Sequence, residues 1–364
     1  MSKLLSVGRA AGSIGAALGV AVAGAAVGFA AERYVVGRSL RGDDPYVDEP
    51  LGTLRGEPHT VVTDDGARLH VEIDEPAGRT DLTVVFSHGY ALSLDAWHFQ
   101  RRDLRGGARL VFWDQRSHGR SSGGAAGDVS FARLARDLGT VLDEVAPKGP
   151  VVLVGHSMGG MTVMALATDR PELFGDRVTG VGLMTTSHRD LAATPLALPG
   201  TAGQIARRLA PGVVAALARQ PDLIERGRRV GSDLGYVLTR RYSFADRAAP
   251  SLVAYTAQLN AATPIGVVAD FLPLFSTHDQ RAALPTIATV PTLVIGAAGD
   301  RMTPVEHSRE LAAALPGGDY VEVPEAGHMV LLERHEIVTE YLDKLLQRAR
   351  TERPNWWRRR RRAR

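Results

Sequence analysis

Residues 151–160 read Val-Val-Leu-Val-Gly-His-Ser-Met-Gly-Gly, and this stretch restricts the fold more than any other part of the chain. Four apolar residues without a polar interruption suit a strand buried on both faces, as in a parallel sheet covered by helices. The Gly-x-Ser-x-Gly that follows suits a sharp turn into a helix, and residues 161–167, Met-Thr-Val-Met-Ala-Leu-Ala, can continue that helix. Ser157 then stands at the apex, at the carboxyl end of the sheet. Gly155 and Gly159 are needed because strand and helix pass so close to the apex that a Cβ would clash, and because the serine backbone is strained. In a chain with 39 Gly the bare motif carries little weight; its position between strand and helix carries the argument.

A chain of 364 residues, 45% of them apolar, can build an α/β core of about 250 residues with additions. Cysteine is absent, which excludes disulfides, thiolate nucleophiles and cysteine metal sites. The net charge of +3 is set by arginines at 358–362 and 364. Removing these six from the 43 basic residues leaves 37 against 40 acidic ones. The body is therefore near neutral with a basic tail, and no nucleic-acid partner is expected.

The amino terminus carries Lys3 and Arg9 and then no charge over residues 10–31. That length spans a bilayer as a helix of about 30 Å. Three readings compete: an uncleaved membrane anchor, an export signal cleaved near Ala30, and a soluble Ala-rich helix. The anchor is the leading expectation, with secreted or cytoplasmic protein as the alternatives. Residues 32–56, rich in charge, Gly and Pro, read as a linker.

From His59 two strand-like runs flank Asp65-Gly66, a hairpin signal. Apolar runs at 82–86, 109–113, 178–184, 292–295 and 320–323 supply further strands. Residues 131–145 place Leu134, Leu138, Val141, Leu142 and Val145 on one helical face. This alternation predicts an α/β fold with a doubly wound, mainly parallel sheet, its core formed by residues 57–185 and 286–348. Residues 186–285 break the pattern with helical segments at 204–219, 250–260 and 264–272. They read as a helical cap over the carboxyl ends of the strands, or else as helices packed on one face of the sheet.

A serine hydroxyl needs a histidine to take its proton and a carboxylate to hold that histidine's tautomer. With the nucleophile on such an elbow, the partners are expected downstream, acid first. Asp300 follows the strand at 292–295, and His328 follows the one at 320–323, so both fall at the Ser157 end of the sheet. An oxyanion formed at a carbonyl needs backbone N–H donors, each worth roughly 3–4 kcal/mol. Met158 supplies one by position, and Tyr90, after the strand at 82–86, is the choice for the second. His88 is expected to brace that loop without touching the reaction. His98, His118 and His156 are read as structural, and no metal or other cofactor is expected.

These landmarks together resemble the α/β-hydrolase superfamily, in its capped esterase, lipase and C–C hydrolase branch. The resemblance rests on His88-Gly89-Tyr90, residues 113–121 (Trp-Asp-Gln-Arg-Ser-His-Gly-Arg-Ser), Gly155-His156-Ser157-Met158-Gly159-Gly160, Gly299-Asp300 and Gly327-His328, and covers residues 59–346. It implies the α/β-hydrolase fold and an acyl-enzyme mechanism. Ser117 stands where the family usually has glycine. Serine at the elbow, where epoxide hydrolases and haloalkane dehalogenases carry aspartate, argues against those chemistries. Some relatives resemble an arrangement with the acid one strand earlier, which makes Asp190 the fallback for Asp300.

The expected activity is hydrolysis of lipophilic carboxylic esters, with a small-molecule ester as partner. A C–C hydrolase or acyltransferase shares the triad, and a non-catalytic receptor shares the fold. Met158, Trp97, Phe271, Leu274 and Phe275 either line an apolar acyl pocket or belong to the ordinary core, and the sequence does not separate the two. Residues 349–364 form a basic tail in which Trp356 and Trp357 precede the arginines, a combination suited to an anionic membrane surface.

Overall fold

A computed structural model describes residues 44–78, 80–124, 129–189, 191 and 232–352. The segment at 10–31, the helix expected at 204–219, Asp190 and residues 353–364 of the basic tail lie outside the described residues, while residues 349–351, expected in that tail, instead end the helix His335–Thr351.

Eight strands form one sheet: β1 (Glu57–Val62), β2 (Arg68–Asp74), β3 (Thr83–Ser87), β4 (Arg109–Trp113), β5 (Val151–His156), β6 (Val178–Met184), β7 (Thr292–Ala297) and β8 (Asp319–Val323). Their spatial order is β1-β2-β4-β3-β5-β6-β7-β8. Only β1 and β2 run antiparallel to their neighbours, and all pairs from β4 to β8 are parallel. The hairpin closes around Gly66, whose φ of 84° belongs to the left-handed region and whose N–H reaches the Thr63 carbonyl at 2.9 Å.

Every residue of β5 is buried. Val152 and Val154 join the core on one face, with Phe86, Phe112, Leu342 and Leu345, while Val151 and Leu153 join the other, with Leu138, Val141 and Met164. This two-sided burial explains a strand with no polar alternation. On the second face lie the helix Phe131–Val145 and the elbow helix Met158–Asp169. The Ser130 hydroxyl caps the former by accepting from the Arg133 N–H at 3.1 Å. The chain leaves β3 for β4 on one side, then crosses back to β5 on the other. A crevice at the carboxyl ends of β3 and β5 results, the place where such sheets bind ligands.

The linker expected at 32–56 is corrected over its described part. Residues 44–56 are packed on the core. The Tyr46 ring lies 5.4 Å from Phe99, Leu51 packs on the same cluster, and Glu49 accepts from His98 Nε2 at 2.8 Å. The Gly56 N–H binds buried Glu72 at 3.0 Å. Charge, Gly and Pro set the local composition, but the apolar Tyr46 and Leu51 find a groove that composition does not reveal. The chain lacking residues 1–43 is the reference for testing this packing. Removing residues 1–56 should cost about 2 kcal/mol or more from lost burial, a drop of about 4 °C or more in a thermal melt.

Candidate active site

Ser157 occupies the turn between β5 and the elbow helix with φ 52° and ψ −119°. Non-glycine residues avoid this conformation, so neighbours must hold it. The Ser157 N–H donates to the Met184 carbonyl at 3.0 Å. Its carbonyl accepts from Gly160 N at 2.9 Å, Met161 N at 3.2 Å and the Thr186 hydroxyl at 2.7 Å. A Cβ on Gly155 would stand 2.5 Å from the Gly159 carbonyl oxygen, and one on Gly159 would drive into the Ser87 carbonyl. Both glycines are thus fixed by close backbone approach.

Asp300 and His328 leave β7 and β8 at the same end of the sheet. Asp300 Oδ2 accepts from His328 Nδ1 at 2.8 Å and from the Thr303 hydroxyl at 2.7 Å. Its Oδ1 accepts from the Met302 and Thr303 N–H groups at 2.8 and 2.9 Å. Four donors pin the carboxylate, and the bond at Nδ1 leaves Nε2 of His328 as the proton acceptor. Ser157, Asp300 and His328 are all buried, 4–7% exposed. Ser157 and His328 border one cavity of about 150 Å³, without a hydrogen bond between their side chains. Such contacts commonly close only once substrate is bound.

Met158 begins the elbow helix, so its N–H has no acceptor within that helix. Tyr90 lies in the loop after β3 and borders the same cavity. Behind that loop, buried His88 donates from Nδ1 to the Gly89 carbonyl at 2.7 Å and accepts from Gln115 N at Nε2 at 3.0 Å. The Gln115 side chain donates to the His88 carbonyl at 2.6 Å and accepts from Thr162 of the elbow helix at 2.7 Å. His88 is therefore a brace with both ring nitrogens occupied. His98 and His156 also serve the scaffold. His156 Nε2 donates to the His328 carbonyl at 3.0 Å, and burial holds its pKa well below the ordinary value. A neutral His156, with its ring 4.9 Å from that of His328, places no second positive charge there.

Three pocket assignments are corrected. Trp97 is fully buried in the core, 5.1 Å from the Phe86 ring, because it ends a short 3-10 turn, Leu94–Trp97, that points inward. Phe271 packs with Leu134 and Met158, and Leu274 adds to that cluster. Of the expected pocket residues the cavity takes Phe275, and it adds Leu272. The cause is the 3-10 helix Leu272–Ser276, in which residues three apart share a face, so Leu272 and Phe275 turn together toward the site.

Other residues escaped the sequence reading. Thr185 and Thr186, directly after β6, hold the His328 and Ser157 carbonyls, each through its hydroxyl. Glu333, an acid buried in an apolar turn, accepts from the N–H groups of Gly327 and Ala245. Their signal is position alone, at strand ends or beside a landmark. Among the described residues no group of three or more His, Cys, Asp or Glu is placed to hold a metal ion.

A family model of the alpha/beta hydrolase fold matches residues 83–335, and the chain belongs to that family. A Klebsiella pneumoniae protein, RutD, whose carbamate hydrolase activity is itself a proposal, is 30% identical over 247 residues, 67% of this chain and 84% of its own. The enol-lactonase of Burkholderia xenovorans LB400 superposes with a TM-score of 0.63 at 25% identity, covering 79% of this chain and 100% of that one. A thermophilic esterase from Thermogutta terrifontis shares the fold, with a TM-score of 0.64 at 24% identity over 81% of this chain and 99% of that one.

Burial pushes the His88 and His118 rings down to about 4. Unfolded histidines bind protons near 6.5, so between these values the unfolded state holds more protons. Their contribution to stability is complete above pH 6.5 and is lost as pH falls toward 4. Urea melts of the native chain and of His88→Gln should show it: stability falls less steeply from pH 6.5 to 5 in the variant. Equal slopes would contradict a neutral, buried His88.

Proposed function

We propose that this protein is a serine hydrolase that cleaves carboxylic esters through an acyl-enzyme. The observation that carries this reading is the 2.8 Å bond from His328 Nδ1 to a fully satisfied Asp300, with His328 facing the cavity that holds the strained Ser157. His328 Nε2 removes the Ser157 proton as Oγ attacks the ester carbonyl. The Tyr90 and Met158 N–H groups receive the oxyanion. On collapse the ester C–O bond breaks, and the proton held by His328 passes to the departing alkoxide. Water, deprotonated by the same ring, then attacks the acyl-enzyme and releases the acid and free Ser157. Asp300 keeps the ring oriented and offsets its charge in both halves.

A panel of p-nitrophenyl esters together with a fluorophosphonate label tests this. Ser157→Ala should lose the label and roughly 10³-fold or more of the turnover while its thermal melt stays native, and His328→Ala should lose as much. Asp300→Asn is expected to lose on the order of 10³–10⁴-fold. Hydrolysis retained in folded Ser157→Ala sinks the mechanism, and an active Asp300→Asn beside an inactive Asp190→Asn moves the acid.

We also propose that the enzyme works at a membrane, held by residues 10–31, with the Trp-Arg tail on anionic headgroups. No single helix among the described residues is long and apolar enough to cross. The placement of residue 44 supports the reading. Asp44 accepts from the Ser251 N–H and hydroxyl, both at 2.7 Å, at the start of Pro250–Ala262, a helix whose Asn260 borders the cavity. The intervening residues 32–43 reach about 40 Å at most, so an anchor at 10–31 keeps this helix near the bilayer. Deleting residues 1–31 should move the protein from membrane to soluble fractions with ester hydrolysis intact. Full-length protein found wholly soluble at low salt, with its first residues intact, defeats the anchor.

A further inference from the structure

Two cavities meet at Ser157. The larger, of about 370 Å³, has Met161, Leu191, Leu238, Leu272 and Phe275 in its walls. The smaller, of about 150 Å³, has His328 in its wall, and the larger does not. Tyr90, Ser157, Ser243, Asn260 and Met302 border both and form the neck between them.

Resting on the ester-hydrolase reading, we infer that the larger cavity takes the acyl chain and the smaller one the alcohol, so the preferred substrates are long-chain acyl esters of short alcohols. The tetrahedral intermediate points four bonds in four directions: to Ser157 Oγ, to the oxyanion donors, to the leaving oxygen and to the acyl carbon. The leaving oxygen must face the ring that protonates it, and of the two cavities His328 borders the smaller. The acyl chain is left with the larger one. At roughly 30 Å³ for a water-sized group, the smaller cavity holds about five heavy atoms and the larger about twelve. An octanoyl chain fits the larger cavity, and an ethoxy group the smaller; an octyloxy group exceeds the smaller. Arg301 also borders the larger cavity, but its guanidinium is engaged by the Arg241 carbonyl at 2.8 Å and Asp246 at 2.9 Å, so the walls offer an acyl chain mainly apolar contact.

Ethyl octanoate and octyl acetate are isomers with opposite distributions of carbon about the same ester, which separates acyl fit from general lipophilicity. With the full chain and titration of released acid below the solubility limit of either ester, kcat/KM for ethyl octanoate should exceed that for octyl acetate by about 10-fold or more. Leu238, 47% exposed on Ser232–Ser243, can be enlarged without disturbing the core. Leu238→Trp should lower kcat/KM about 10-fold on ethyl octanoate and less than 2-fold on ethyl acetate. Equal rates on the two isomers, a preference for octyl acetate, or equal loss on both ethyl esters in Leu238→Trp overturns the assignment, while continued fluorophosphonate labelling at Ser157 leaves the hydrolase reading standing. No turnover of either isomer overturns the assignment as well, and an unlabelled Ser157 then takes the hydrolase reading with it.

Discussion

The conformation of Ser157 is the constraint on which the rest of the structure depends. A non-glycine residue at φ 52° costs on the order of 1–3 kcal/mol. It persists because its N–H is tied to Met184 and its carbonyl to Thr186 and the elbow helix. The strain is not isolated. Ala91, Ser117, Thr185 and Glu325 also have positive φ, and they follow β3, β4, β6 and β8. Strands β3, β5, β6 and β7 are buried along their whole length, and these positive-φ residues lie beyond the carboxyl ends of strands, where the candidate catalytic groups lie. A rigid parallel sheet makes this tolerable, since its burial is large compared with a few kcal/mol.

Polar groups behind the site follow the same logic. His88, Gln115 and Thr162 join the loop after β3, the loop after β4 and the elbow helix by hydrogen bonds of 2.6–3.0 Å, with all three side chains buried. Asp114, also buried, accepts from Leu94 N at 2.7 Å and Arg120 N at 2.9 Å, and burial raises its pKa. Removing one member of such a network leaves the others unsatisfied at low dielectric, which costs more than the bond itself. The backbone of Tyr90 is thereby placed by groups that need never meet substrate.

Much of this was legible in the residues, and the parts that were not have definite causes. Strands β4 and β6 and the helix Phe131–Val145 begin and end where apolar period and turn residues place them. The grouping of Ser157, Asp300 and His328 at one end of the sheet was legible because each lies in a turn after a strand, a relation that sequence order preserves. Trp97, Phe271 and Leu274 were misplaced because lining a cavity depends on which way a short 3-10 turn faces, and one residue of phase reverses the answer. Residues 44–56 read as a linker because the groove that receives Tyr46 is built by Phe99 and His335, far away in sequence. Thr185, Thr186 and Glu333 carry no motif, since a hydroxyl or carboxylate that satisfies backbone groups is recognisable only once those groups are in place.

The helices between β6 and β7 do more than shelter the cavity, because their hydrogen bonds reach the loops that carry the candidate catalytic groups. The Tyr90 hydroxyl donates to the Val268 carbonyl, which ties the loop after β3 to Ile265–Phe271. On the other side the Met329 N–H donates to the Ser243 carbonyl at 2.9 Å, and Glu333 joins Gly327 to Ala245. Both neighbours of His328 in the chain are therefore fastened to the segment that supplies Leu238 and Thr239 to the cavity wall. A shift of that segment to admit a larger ligand would strain the His328 loop and the Tyr90 loop together. Ligand size and the alignment of the His328 ring are thus mechanically coupled, and an ill-fitting ligand is penalised in the geometry of the candidate catalytic groups as well as in lost contact.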